Sequence, residues 1–332
     1  MSEATSTPVD AAIVEAAVAA VDAAAAVTAA AQGRLAAGDT LTKGDDSPVT
    51  VADFAAQAIV CRTLADRLGG PSGDVAVVGE EAPDDLDDQP VLLEGVAGLV
   101  RTALGAQVTD AEVVSAIALG GADASAGGRY WTLDPIDGTK GFLRGDQYAI
   151  ALGLIEDGEV ILGVLGCPNL PNPDGSTGAV LVGVDGTATI RTAGSGPVPI
   201  RVDDPATVAD ARFCESVESG HSDQGQSAEI AARLGISTEP YRIDSQCKYA
   251  AVGRGDASIY LRLPTRADYV EKIWDHAAGK FVVEMAGGTV TDVTGTPLDF
   301  GRGDRLHGNS GVVATSGRFH DEVIAAVQAV LG

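Results

Sequence analysis

Two aspartates stand three residues apart in Trp131-Thr132-Leu133-Asp134-Pro135-Ile136-Asp137-Gly138-Thr139-Lys140-Gly141-Phe142. Residues 131–133 read as a short buried strand, Pro135 fixes φ and lacks an N–H, and Asp137-Gly138 is a chain-reversing pair. Both carboxylates are then expected at a strand end, with the Ile136 carbonyl between them as a third oxygen donor. Such hard donors suit Mg²⁺, which takes ligands at about 2.0–2.1 Å and keeps several waters. Taken alone, the residues equally fit an ordinary Asp-Pro and Asp-Gly turn. Two further strings carry acids: Val77-Val78-Gly79-Glu80-Glu81, an apolar run ending in paired carboxylates, and Ile273-Trp274-Asp275-His276-Ala277-Ala278-Gly279, expected to open a helix with Asp275 in its first turn. Each has a plainer explanation. Asp84, Asp85, Asp87 and Asp88 could make the first a solvated acidic loop, and an acid at a helix start gains ~0.3–1 kcal/mol from the helix dipole.

The elements around these strings follow from periodicity. A long helix is expected over 8–37, with Ile13, Ala17, Val21, Ala24 and Thr28 near helical spacing and a stop near Gly38. The polar loop 43–50 leads into a second helix at Asp53, whose Phe54, Ala58, Cys61, Ala65 and Leu68 share a face. Thr50-Val51-Ala52-Asp53 also fits a helix-capping signature, so capping and chemistry both remain open for Asp53. Segments 148–155 and 160–166, joined by Glu156-Asp157-Gly158, predict a hairpin and an antiparallel sheet in the first half. The Pro- and Asn-rich stretch 168–175 marks a loop and the expected join between an N-terminal unit, 1–168, and a C-terminal unit, 169–332. Strands are predicted at 179–184, 188–192, 211–214, 257–263 and near Thr289 and Gly311, with helices over 226–234, 273–286 and 320–331. No internal repeat is visible, and the periodicity supports a mixed α and β chain.

With 332 residues, 45% of them hydrophobic, the chain can bury a large core. No uninterrupted apolar run is expected to reach the ~18 residues of a membrane span, because Glu15 and Asp22 break the alanine-rich start and Glu156-Asp157-Gly158-Glu159 breaks 148–167. No basic region precedes apolar residues at the N-terminus, so the cytoplasm is the expected compartment. Cys61, Cys167, Cys214 and Cys247 show no Cys-x-x-Cys spacing and read as reduced, mostly buried thiols. A net charge of −25 opposes binding to nucleic acid or anionic membrane. It also means that an anionic substrate would need local positive charge from divalent ions or placed cations. The acidity fits solubility or a saline cytoplasm, the latter in keeping with the excess of Arg over Lys.

Together the acidic strings resemble the lithium-sensitive, magnesium-dependent phosphatase superfamily that includes inositol monophosphatase. The wording from Asp134 to Gly145, with Lys140-Gly141-Phe142, looks like its 3′(2′),5′-bisphosphate nucleotidase branch, and the resemblance spans about residues 43–315. It implies a layered α/β (α+β) sugar-phosphatase fold with the active site between the halves. It assigns metal ligation of two or three Mg²⁺ to Glu80, Asp134, the Ile136 carbonyl, Asp137 and Asp275, and water activation to Asp53 and Thr139. Metals in pairs stabilise the attacking and leaving oxygens of phosphoryl transfer. Substrate contacts fall on Gly138, His221, Ser245, Lys248 and Arg262, with Lys248 and Arg262 suited to phosphate as point charge and bidentate fork.

The implied activity is removal of the 3′-phosphate from 3′-phosphoadenosine 5′-phosphate, clearing a by-product of sulfate transfer. The partner is thus a small nucleotide bisphosphate, and the oligomeric state stays open. An inositol or sugar phosphatase on the same scaffold is the alternative, disfavoured by Lys140-Gly141 and by Asp244-Ser245-Gln246-Cys247-Lys248-Tyr249. A catalytically silent nucleotide or metal sensor is a third reading, against which the water-activating pair stands. His276, His307 and His320 have no metal-site spacing and are expected to be structural or exposed.

Overall fold

The computed structural model describes residues 8–33, 40–42, 48–69, 75–86, 89–217, 224–264, 266 and 268–332. The chain begins with α1 (Ala11–Gln32), β1 (Thr40–Thr42), β2 (Pro48–Thr50), α2 (Val51–Leu68), β3 (Val77–Gly79), α3 (Pro90–Leu104) and α4 (Asp110–Ala118). Then come β4 (Arg129–Asp137), α5 (Thr139–Arg144), β5 (Ala149–Glu156), β6 (Glu159–Pro171), β7 (Thr177–Val184), β8 (Thr187–Thr192) and β9 (Val198–Pro199). The rest comprises β10 (Phe213–Glu215), α6 (Gln224–Leu234), β11 (Tyr241–Arg242), α7 (Cys247–Gly253), β12 (Ile259–Arg262), α8 (Ala277–Met285), β13 (Thr289–Thr291), β14 (Val312–Thr315) and α9 (His320–Leu331).

A seven-stranded sheet runs in chain order from β3 to β9, antiparallel except for the β3–β4 pair. A five-stranded mixed sheet has the order β11-β10-β12-β14-β13. Alternation along the strands sorts the first sheet into two faces. Trp131, Leu133, Ile150, Leu152, Leu162 and Val164 pack with α1 and α2. Ala149, Ala151 and Leu165 lie with α7 and α8 on the other face, which also meet Cys214, Tyr260 and Ala314 of the second sheet. Phe213, Ile259 and Val313 on the far face of that sheet pack on α6 and α9. The layers are therefore helix, sheet, helix, sheet, helix, and the mixed α/β expectation holds.

The predicted hairpin is present, with Glu156 opposite Glu159 and Asp157-Gly158 both at positive φ (51° and 85°), as a type I′ turn requires. Residue 168, the expected join, falls inside β6, and β7 to β9 extend the first sheet beyond it. The Pro- and Asn-rich stretch lies within one sheet, where the β6–β7 register shifts between Cys167 and Pro171. α1 stops at Gln32 with Gly33 as its C-cap, short of Gly38. It is also long and apolar enough to cross a membrane, despite Glu15 and Asp22. Here it is a core helix: Ala17, Ala20, Val21 and Ala24 are buried against α2 and the sheet, and Asp22 pairs with Arg191 of β8 at 2.6 Å. Sequence periodicity missed α3, α4 and α7, and α8 begins at Ala277 rather than Ile273.

α8 lies along a row of glycines that the register aligns across three strands: Gly153 opposite Gly163, and Gly163 opposite Gly183. A Cβ at Gly163 would lie 2.5 Å from the Ala278 carbonyl oxygen, and one at Gly183 would lie 3.0 Å from Val282 Cα. Only strands without side chains there let the helix backbone approach so closely. Because the contact is to backbone, Gly163→Ala must push α8 away, and overpacking of this kind costs about 1–3 kcal/mol. Urea unfolding of Gly163→Ala is expected to show that loss; a midpoint equal to wild type would show that α8 is not seated on the glycine row.

Candidate active site

In a regular strand, residues three apart point to opposite faces. Asp134 and Asp137 escape this because β4 is bulged: Asp134 pairs with Ala151 and Asp137 with Ala149, so three steps on β4 match two on β5. The extra residue lies at Pro135-Ile136, where a proline is tolerated in a sheet. The predicted turn is thus a bulged continuation of the strand, and both carboxylates come to the α8 face. Gly138 then turns the chain at φ 89° into α5. A Cβ on Gly138 would sit 2.7 Å from Ser245 Cβ, and Ser245 itself has φ 64°. The two segments therefore lie close together, which brings Ser245 to the turn after Asp137.

Asp134 is buried, and its Oδ1 has no hydrogen-bond partner. Burial pushes its carboxyl well above the usual range, and the charges of Glu80, Asp137, Asp275 and Asp53 push it further. The expected acids from β3, β4, α2 and the turn before α8 are thereby brought to one place. Burial and then Asp275 raise Asp137 to about 6, against the pull of Lys248, Arg262 and the Gln246 backbone N–H. That N–H donates to Asp137 Oδ2. Thr139 donates its hydroxyl to the Ile136 carbonyl at 3.3 Å, which leaves that oxygen a second lone pair. An orphaned oxygen among mutually repelling carboxylates is a donor set that fits a divalent cation of hard preference.

Asp53 is buried in the first turn of α2. One turn on, Gln57 clamps the strand end that carries the acid pair: its Nε2 donates to the Glu81 carbonyl at 2.6 Å, and its Oε1 accepts from Glu81 N at 3.0 Å. Gly79 and Gly120 make room for it, since a Cβ at either would lie 2.4–2.5 Å from the Gln57 amide. Glu81 is thus buried in this clamp, while Glu80 is exposed and its charge reaches Asp134.

Asp275 lies in a turn ahead of α8, not in the helix. Gln246 fixes this turn from the side, donating Nε2 to the Trp274 carbonyl at 2.9 Å and accepting at Oε1 from Gly279 N at 3.1 Å. Lys248, also buried, donates to Ser216 Oγ at 3.1 Å and lies over the Tyr260 ring; burial lowers its pKa, with Asp137 opposing. Arg262, expected as a phosphate fork, is paired with Glu271 at 2.8 Å and Asp275 at 3.3 Å. His221 lies outside the described residues. Arg144 of α5 pairs with Asp244 at 2.7 Å, and Asp244 accepts from Val217 N, linking α5 to the segment before His221. All four cysteines are buried free thiols, as expected.

Sequence comparison decides the family. The inositol monophosphatase family profile matches residues 9–331. The chain belongs to the inositol monophosphatase family. Among curated relatives, a 3′(2′),5′-bisphosphate nucleotidase of Schizosaccharomyces pombe is 44% identical over 317 residues, covering 89% of this chain and 87% of the relative. The Oryza sativa protein of that name is 41% identical, covering 99% of this chain and 96% of its own. Among solved structures, Thermotoga maritima IMPase superposes with a TM-score of 0.61 at 20% identity, covering 96% of this chain and 97% of that one. Mycobacterium tuberculosis SuhB gives 0.58 at 19% identity, covering 97% and 99%.

The site in this chain also rests on Gln57 and Glu271, which the sequence patterns did not single out, and on Gln246 and Tyr249, which were read only as part of the segment 244–249 with no role of their own. Gln57 carried a signal, being four residues after Asp53 on one helix face. The others depend on long-range contacts.

The raised carboxyls set the pH behaviour. Unfolded Asp titrates near 3.9, so Asp134 and Asp137 bind protons more tightly in the metal-free fold than in the unfolded chain. Their contribution to stability is fully present below that value and is lost as pH rises through about 6 for Asp137. Cations need the ionised carboxylates, so the rise in Tm on adding Mg²⁺ is expected to be larger at about pH 7.5 than at about pH 5. Thermal scans with Mg²⁺ and with chelator at both values check this; equal shifts would contradict the assignment of these groups as ligands.

Proposed function

We propose that the protein is a Mg²⁺-dependent 3′(2′),5′-bisphosphate nucleotidase that hydrolyses 3′-phosphoadenosine 5′-phosphate to AMP and phosphate. The observation that carries this is an acidic cluster with two cations beside it: Asp137 feels the charges of Asp275, Lys248 and Arg262 together. Acids and cations side by side suit a substrate with two phosphates, one to be cleaved and one to be held. The names of the relatives support the same reading.

Glu80, Asp134, the Ile136 carbonyl, Asp137 and Asp275 would hold the ions, two or three in number. Mg²⁺, when bound, supplies the positive charge that draws a phosphoryl group into an acidic protein and polarises its oxygens. Asp53, buried within electrostatic reach of Asp134, accepts the proton of the attacking water, with the Thr139 hydroxyl orienting that water. The water oxygen bonds to phosphorus, the bond from phosphorus to the ribose 3′-oxygen breaks, and that oxygen takes up a proton. Lys248 holds the phosphate that is not cleaved, and its burial strengthens that contact because little water competes. Gly138, Ser245, Arg262 and His221 complete the substrate contacts. Lithium sensitivity, a role beside sulfate transfer and a cytoplasmic location belong to the same proposal.

Phosphate release from 3′-phosphoadenosine 5′-phosphate is expected to be fast with Mg²⁺, absent in chelator, and much faster than release from inositol 1-phosphate. Equal or faster turnover of the inositol ester would move the assignment to the sugar phosphatases, and turnover of neither would leave a sensor.

Asp53→Asn separates chemistry from a structural role in the first turn of α2, since the Asn side-chain oxygen can still accept a hydrogen bond there. A lost proton acceptor lowers kcat by about 10²–10⁴-fold, and that loss is expected with Tm unchanged. Near-normal kcat at saturating Mg²⁺ would leave Asp53 the structural role alone.

A further inference from the structure

Arg262 is placed between two acids with unequal holds on it. The same nitrogen, Nη2, lies 2.8 Å from Glu271 Oε2 and 3.3 Å from Asp275 Oδ2. Glu271 is buried and is itself held from behind: its Oε2 lies 3.2 Å from His276 Nε2, and His276 Nδ1 lies 2.8 Å from the Tyr249 hydroxyl. Burial alone would raise the Glu271 carboxyl, but His276 and Arg262 outweigh it and bring it down to about 2, so Glu271 is an acceptor only. His276 Nε2 then donates to it, and Nδ1 shares a hydrogen bond with the Tyr249 hydroxyl. Tyr249 is in turn fixed by Gly279 of α8, where a Cβ would come 2.2 Å from its ring.

Glu271, Asp275 and His276 present ligand atoms within 4.8 Å of one another. They do not form a separate cation site. The guanidinium already supplies the cation beside Glu271, and both His276 nitrogens are committed. The chain Tyr249, His276, Glu271, Arg262 instead ends on Asp275, one of the five oxygen ligands inferred above. Without Glu271, the nearest anion to Arg262 would be Asp275, and the guanidinium would close a full pair on a carboxylate that a divalent ion needs.

We propose that Glu271 is a positioning residue: anchored by His276 and Tyr249, it holds Arg262 back from Asp275 and so keeps that carboxylate available to a divalent cation and the guanidinium available to phosphate. This rests on the reading of Asp275 as a metal ligand. Loss of such a supporting contact commonly costs 10–100-fold in metal affinity.

The test is a Mn²⁺ titration of the whole protein without substrate, followed by electron paramagnetic resonance of the free ion. Glu271→Gln, which can still accept from His276, is expected to weaken Mn²⁺ binding about tenfold or more. The loss is expected to vanish, or nearly so, in an Arg262→Met background, where there is no guanidinium to hold back. The same loss in both backgrounds, or none in either, overturns the proposal, because the charge of Glu271 would then act alone or not at all. Asp275→Asn separates the two levels of inference. If it leaves Mn²⁺ affinity unchanged, the ligand assignment falls and this proposal with it; if it weakens binding while Glu271→Gln does not, only this proposal falls. Should Arg262→Met fail to fold, Tyr249→Phe decides. It keeps every charge and frees His276, so a several-fold loss of affinity supports the relay and an unchanged affinity overturns it.

Discussion

An ionised carboxylate buried among other carboxylates is costly, and Asp134 is held in that position with Glu80, Asp137, Asp275 and Asp53 around it. Among the described residues no cation pairs with Asp134, and one of its oxygens has no hydrogen-bond donor. The fold accepts this because the acids come from α2, the end of β3, β4 and the turn before α8, elements fixed by contacts away from the cluster. Repulsion is therefore resisted by packing, and a divalent cation relieves it when bound.

Four constraints do that fixing. The bulge in β4 turns two acids of odd spacing to one face. Gln57 clamps the end of β3 to α2, so Glu80 and Asp53 keep their relation. The glycine row across β5, β6 and β7 seats α8 against the sheet, and Asp275 precedes that helix by a turn. Gln246 ties the Asp137 carboxylate, the Trp274 carbonyl and the start of α8 together with one side chain and its own backbone N–H. Beside the acids, Lys248 and Arg262 are held by the buried partners Ser216 and Glu271.

The acids themselves were legible in the sequence because short strings of rare composition mark them: Asp134-Pro135-Ile136-Asp137-Gly138, Glu80-Glu81 and Trp274-Asp275-His276. The hairpin was legible because Asp157-Gly158 sits between alternating segments. The bulge was not, since it breaks the period of two on which strand reading relies, and the motif read instead as a turn. α8 was placed four residues early because Ile273 and Trp274 continue its apolar pattern while in fact packing as a turn. The join expected near 168–175 rested on composition, but β6 carries its hydrogen bonding through Pro171 and the sheet goes on. The pairing of Arg262 was invisible because Glu271 comes from a separate loop, and no local pattern announces a contact made only in the folded chain.

Asp134, with one orphaned oxygen, and the carboxylates gathered around it are assigned here to divalent cations. Crystals grown with Mn²⁺ and measured at the manganese absorption edge test that assignment most directly. The account predicts anomalous density between Asp134, Asp137, Glu80 and Asp275, close to the Ile136 carbonyl, with Arg262 still on Glu271. An empty acidic cluster at saturating Mn²⁺, or anomalous density only elsewhere on this acidic surface, would contradict it.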